Sequence, residues 1–271
     1  MRILVVGAGA LGGYFGGRLK DAGRDVTFLV RPRRAEQLAK TGLVIRSPRG
    51  DANIPQPATI LAENLRAPFD LILLSCKAYD LQSAMDSFAP AVGANTAILP
   101  LLNGMKHMDL LAARFGADAM LGGQCVISAT LDPQGHVLHL NDLHFVSYGE
   151  QDGSKSARAT AIAAAFSGAR FESQLSTTIM QEMWEKWAII AAVAGSPACC
   201  AAQSATSWPP TPANCRSIYT RSAARSPRLT ALRRVSARAS AASACSRHPA
   251  RHLPPRCYAT SNATRRSKPI T

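Results

Sequence analysis

A chain of 271 residues with 47% apolar and 18% charged residues is globular in composition and long enough for one large or two ordinary domains. No apolar run approaches the roughly 20 residues of a membrane-spanning helix, and no signal-type segment follows Met1-Arg2, so neither a membrane-embedded nor a secreted protein is expected. A formal charge of +14 would suggest a nucleic acid or anionic-surface partner if it were evenly spread, but residues 1–195 carry 18 basic and 17 acidic side chains, while residues 196–271 carry 13 basic and none acidic.

Ile3-Leu4-Val5-Val6 is wholly apolar, as buried parallel strands are. Gly7-Ala8-Gly9-Ala10-Leu11-Gly12 follows at once and opens a helix that continues through Gly13 to Leu19. G-x-G-x-x-G is a weak pattern alone, and a purely structural glycine turn is the competing reading. After a strand and before a helix it has the context of a dinucleotide fingerprint. Gly7 would permit the tight turn, Gly9 the approach of a pyrophosphate, and Gly12 close helix–strand packing. Ala8, Ala10 and Leu11 complete the candidate loop, whose helix N-terminus offers free N–H groups to phosphate.

A second strand, 25–30, ends in Arg31-Pro32-Arg33-Arg34. An NAD site places an acid there for the ribose 2′-hydroxyl. Arg31 occupies the position with no carboxylate nearby in the sequence, which favours NADP(H) over NAD(H), since a guanidinium suits an added phosphate. At least one of Arg33 and Arg34 is expected to be solvated loop charge. Buried strands at 71–75 and 97–102 are followed by Lys77 and Asn103. Either residue alone would be read as surface or turn. Together, at the strand ends where a doubly wound sheet binds ligands, they are site candidates.

Thr178-Ile179-Met180-Gln181 has capping-box form and predicts a helix from there to about Ala194. Trp184, Trp187, Ile190, Ala191 and Ala194 form an apolar stripe on it, with Lys186 beside the stripe and near Glu182 and Glu185. The bland reading of Lys186 is an exposed lysine in local ion pairs. The functional one is a partly desolvated ammonium acting as a proton donor. Cys76 and Cys125 make no C-x-x-C pair, so no metal site is expected, and a reduced, cytoplasmic protein is.

The glycine loop at 7–12, Val30-Arg31, Cys76-Lys77-Ala78-Tyr79, Leu102-Asn103-Gly104 and Met183-Trp184-Glu185-Lys186-Trp187 together resemble the ketopantoate reductase (2-dehydropantoate 2-reductase) family. The resemblance covers residues 1 to about 195. It implies an α/β chain: a Rossmann-type doubly wound parallel sheet over 1–172, then an all-helical substrate domain of which 173–195 is the first helix. It also implies reduction of a 2-keto acid with NADP(H), with Lys186 as proton donor, Asn103 and Lys77 at the substrate, and a homodimer where the helical domain is intact. Ile190 and Ala194 stand where many members carry asparagines, so the keto acid could differ, as could the hydroxy-acid product class.

From residue 196 the resemblance stops. The 76-residue tail has no Gly, Phe, Asp or Glu and reads as disordered, or as a basic nucleic-acid binder, although its aromatic residues are too sparse for a stacking platform. The genetic code supplies a third reading. In a frame starting one base earlier, Pro197 through Trp208 permits T-C-L-L-R-G-A-V-G-D-I-V, and Cys257 to the end permits M-L-R-D-I-E-R-D-A-P-I-E-A-D-H. The second resembles the family's closing S-M-x-x-D-I-E…E-x-D motif. Both segments regain Gly, Asp and Glu in one frame, which indicates loss of one base, or gain of two, at about Gly195. Activity of the chain as written is then expected to be impaired.

Overall fold

In the computed structural model, the residues described are 1–194; the 196–271 tail and its frame reading lie outside them. Residues 1–191 form one compact unit. The elements in order are β1 (Arg2–Val6), α1 (Ala10–Asp21), β2 (Asp25–Leu29), α2 (Pro32–Thr41), β3 (Leu43–Arg46), β4 (Ala52–Ile54), β5 (Thr59–Ile60), β6 (Leu71–Leu74), α3 (Leu81–Phe88), β7 (Ala97–Pro100), α4 (Lys106–Phe115), β8 (Leu121–Leu131), β9 (Val137–Glu150), α5 (Ala157–Phe166), β10 (Glu172–Leu175) and α6 (Ile179–Ala194).

The apolar runs seen in the sequence assemble into one parallel sheet in the order β5-β2-β1-β6-β7. All three longer predicted strands form, each a little shorter than expected. The fourth ends at Pro100, although the next N–H, that of Leu101, still donates to the Leu74 carbonyl at 2.9 Å. Because side chains alternate along a strand, β1 splits its residues between two cores. Leu4 and Val6 pack with Met85 and Phe88 of α3, Met108 and Leu111 of α4, and Ile179 and Met183 of α6. Ile3 and Val5 face α1 and the layer beyond it. Helices thus cover both faces, as the doubly wound reading requires.

The layer beyond α1 was not foreseen from sequence. It is a second sheet, β10-β9-β3-β4, with β8 antiparallel to β9. Its last strand begins at Glu172, so the sheet runs on to Leu175, past the expected boundary at 172. Helix α1 is sandwiched between the two sheets, and this explains its glycines. A Cβ at Gly16 would fall 2.7 Å from the Phe28 ring of the first sheet, and one at Gly17 2.7 Å from Ile45 of the second. The β–α order leaves the glycine loop, Arg31, Lys77 and Asn103 all at the carboxyl edge of the parallel sheet. Among the described residues no helix is long and apolar enough to cross a membrane.

Candidate active site

Gly7 leaves β1 with φ +93°, a conformation that favours glycine, and its N–H donates to the Leu29 carbonyl at 2.9 Å. The loop then folds back so tightly that a Cβ on Gly12 would collide with the Gly7 carbonyl and the Ser75 hydroxyl. Ser75 Oγ holds this corner by donating to Val6 O at 2.9 Å. Gly9 is the N-cap of α1. It supplies no side-chain cap, and the first turn carries no acid. Ala10, Leu11 and the rest of that turn therefore keep N–H groups available, with the positive end of the helix dipole behind them. Ala8 is buried at the root of the loop, while Gly9 is open to solvent.

Arg31 sits at the end of β2 as the N-cap of α2, with its side chain 74% exposed. The absence of a nearby carboxylate does not hold in three dimensions: Asp80 Oδ1 lies 2.7 Å from Arg31 Nη2. The parallel order places only β1 between β2 and β6, roughly 10 Å across, and an arginine spans that distance. Asp80 follows β6 and is remote in sequence, so local reading misses it. Of the other two arginines, Arg33 is exposed, but Arg34 is half-buried and donates to the Ala8 carbonyl of the glycine loop.

Helix α6 starts where predicted, though its closing partner differs. Glu182, not Gln181, reaches back, accepting from Ser176 Oγ at 2.7 Å, while Gln181 Nε2 donates to Glu185 Oε1 at 2.9 Å. Glu182 also accepts from Ser147 Oγ at 2.5 Å. With both acids so engaged, the local ion pairs considered for Lys186 do not form. Its Nζ instead donates to the Cys125 carbonyl of β8 at 2.7 Å. Burial pulls the Lys186 pKa below its usual value.

Lys186 and Asn103 line one cleft, together with Gly104, Gly123, Gln124 and Met183. Asn103 is exposed at the end of β7, and Gly104 after it has φ +87° with the Trp187 ring nearby. Lys77 is exposed at the end of β6 and does not line that cleft. A residue missed in sequence is His107, on the first turn of α4. It is 4% exposed, with Nε2 unpartnered among the described residues. Burial pushes its pKa down to about 4, opposed by the Asp109 carboxylate and helped, to a lesser extent, by the Lys186 charge. A lone histidine on an amphipathic helix gives no sequence signal of this.

The sequence pattern of the family described as ketopantoate reductase PanE/ApbA matches residues 3–153. The chain belongs to that family. It is 43% identical to the uncharacterized oxidoreductase YkpB of Bacillus subtilis over 195 residues, covering 72% of this chain and 64% of that protein. It is 28% identical to the 2-dehydropantoate 2-reductase of Mesorhizobium japonicum, covering 69% and 63%. The solved 2-dehydropantoate 2-reductase of Geobacter metallireducens GS-15 shares the fold with TM-score 0.66 and 27% identity, over 81% of each chain. The chain thus spans just under two thirds of the length of these curated relatives.

Proposed function

We propose that this chain derives its function from NADPH-dependent reduction of a 2-keto acid, with 2-dehydropantoate, the substrate in its relatives' names, as first candidate. The observation that carries this reading is one cleft holding both Asn103 and the desolvated Lys186, at the sheet edge that also carries the glycine loop. The residues present fit a dinucleotide. The loop offers uncapped N–H groups, the collision at Gly12 leaves no room for a side chain, and Arg31 stands at the ribose end. Gly7 through Gly12 would hold the diphosphate and Arg31 the 2′-phosphate; Lys77, outside the Lys186–Asn103 cleft, would reach the cofactor or the substrate only from the rim, at the end of β6. The cofactor, when bound, supplies hydride to a carbonyl carbon.

The chain's own work is then to hold the keto acid and supply a proton. An ammonium at Lys186 Nζ can donate a hydrogen bond to the carbonyl oxygen and transfer its proton as negative charge develops there. In this structure Nζ rests on the Cys125 carbonyl, a neutral acceptor that fixes its position without quenching its charge. Asn103 can hydrogen-bond both substrate and cofactor from the opposite wall. The whole activity is tested by mixing purified protein, NADPH and 2-dehydropantoate and following loss of NADPH absorbance. No consumption by a frame-repaired chain with this or any related 2-keto acid would sink the reading.

Asp80 modifies the cofactor expectation. A 2′-phosphate at Arg31 has to compete with that carboxylate, whereas a 2′-hydroxyl can donate to it. NADPH should still bind more tightly than NADH. Asp80→Asn should widen the preference several-fold and Arg31→Asp should erase or invert it, both read from Kd by NAD(P)H fluorescence. Equal affinities in the unmodified chain would refute the assignment of Arg31.

A further inference from the structure

Arg34 plays no part in the reaction described above, yet its side chain, like that of Ser75, grips the glycine loop. Its Nε donates to the Ala8 carbonyl at 2.9 Å and its Nη1 to the Gln37 amide oxygen at 2.6 Å. Gln37 donates in turn to the Gln134 carbonyl at 2.6 Å, in the turn joining β8 to β9. There Gly135 has φ +83°, and a Cβ on it would collide with Arg34 Nη1 and Gln37 Nε2. The guanidinium is thus clamped between the start of α2, the glycine loop and that turn. Its Nη2 is buried and has no partner among the described residues. Both observed acceptors are neutral, and the carboxylate of Asp132 acts on the charge through space rather than by a hydrogen bond.

The direction of the Ala8 carbonyl fixes the next N–H. In a planar trans peptide the N–H of Gly9 points opposite to the C=O of Ala8. With that carbonyl turned toward Arg34, the Gly9 N–H is turned away from it, on a residue with nothing within 4 Å of where a Cβ would stand. Release of the carbonyl would let the peptide flip and present an oxygen where a diphosphate needs donors.

We propose that Arg34 is the positioning residue for the dinucleotide diphosphate, holding the Ala8–Gly9 peptide with its N–H outward and placing a positive charge behind the loop. The proposal rests on the reading of residues 7–12 as the cofactor loop. It separates Arg34 from Arg31: one serves the diphosphate, the other the ribose end.

Two fragments of the cofactor distinguish them. ADP carries the diphosphate without a 2′-phosphate, and adenosine 2′-monophosphate carries the reverse. In calorimetric titrations of the full chain, Arg34→Gln should weaken ADP at least tenfold and leave adenosine 2′-monophosphate within twofold, while Arg31→Gln should do the opposite. Equal weakening of both fragments by Arg34→Gln would show a merely structural role and overturn the proposal, as would unchanged ADP binding. If Arg34→Gln fails to fold by circular dichroism, Arg34→Lys, which keeps the charge but loses the fork, is held to the same comparison. An unmodified chain that binds neither fragment would overturn the cofactor reading itself, and the proposal with it.

Discussion

At Lys186 and His107 two bases share a buried neighbourhood, and each loses proton affinity there. For Lys186 the consequence is kinetic. A proton donor must be charged before it gives, so the alkaline limb of kcat against pH should fall below the usual lysine value of 10.5, in the direction burial has moved it. Lys186→Ala in a competent chain should cost roughly 100- to 10,000-fold in kcat, the ordinary worth of a general acid. A variant that loses less than tenfold would leave Lys186 a structural residue tied to Cys125. For His107 the consequence is stability. Its folded pKa of about 4 lies below the ordinary histidine value of 6.5, so between those values the unfolded chain binds the extra proton and the fold does not. Stability is therefore intact above pH 6.5 and declines as pH drops toward 4, by roughly 3 kcal/mol at full effect. His107→Gln should flatten that limb in urea melts across the range. An unchanged limb would assign the acid lability to another group.

Helix α1 shows what a motif discloses and what it hides. Its fingerprint was legible because turn, phosphate approach and helix–strand packing each demand glycine at a fixed local spacing. Gly16 and Gly17 are not explicable that way, since their reason is tertiary: Gly16 lies against Val5 and Phe28 of the first sheet, and Gly17 against Leu43, Ile45 and Ile54 of a second sheet built from β3, β4, β8, β9 and β10. The two glycines also differ in kind from Gly12. At Gly12 an added methyl meets the backbone carbonyl of Gly7, which cannot yield without moving the loop. At Gly17 it meets the end of the Ile45 side chain at 2.7 Å, which can turn aside. Gly12→Ala should thus destabilise by about 1–3 kcal/mol or more and abolish nucleotide binding. Gly17→Ala should come out near zero, because a gain of about 1 kcal/mol in helix propensity offsets the repacking. Thermal melts with and without NADPH check both. The same contrast explains the other errors of local reading. The Asp80 partner of Arg31 and the Glu182 closure at the start of α6 are set by strand order and by Ser147 and Ser176, not by sequence neighbours. Lys186 was legible as a site residue only through the family pattern, because a lysine flanked by glutamates on a helix is ordinarily a surface charge.

Across the whole molecule, the decisive asymmetry is chemical: +1 net charge over residues 1–195 and +13 over residues 196–271, with every acid in the first part. A frame displaced by one base near Gly195 accounts for the loss of Gly, Asp and Glu together, whereas a basic binding tail accounts only for the charge. The end of the described region bears on the choice. Trp184 and Trp187 are 56% and 39% exposed on α6, an apolar surface that a finished helical domain has reason to cover. Restoring one base in the coding DNA near Gly195 should therefore change three things at once. The net charge should fall by several units, tryptophan fluorescence should shift to the blue as both indoles leave water, and NADPH-dependent reduction of a 2-keto acid should appear. The last follows from geometry. The cleft beside Lys186 and Asn103 is walled by the segment after β7, by β8 and by α6 among the described residues, and a substrate gripped on one side loses much of an orientation term worth about 7–11 kcal/mol at full effect. The unrepaired chain should accordingly bind NADPH yet turn over at least a thousandfold more slowly than the repaired one. If the 271-residue chain reduces a 2-keto acid at an ordinary enzymatic rate, of order 10 per second, residues 196–271 are a working part of the protein and the displaced frame is refuted.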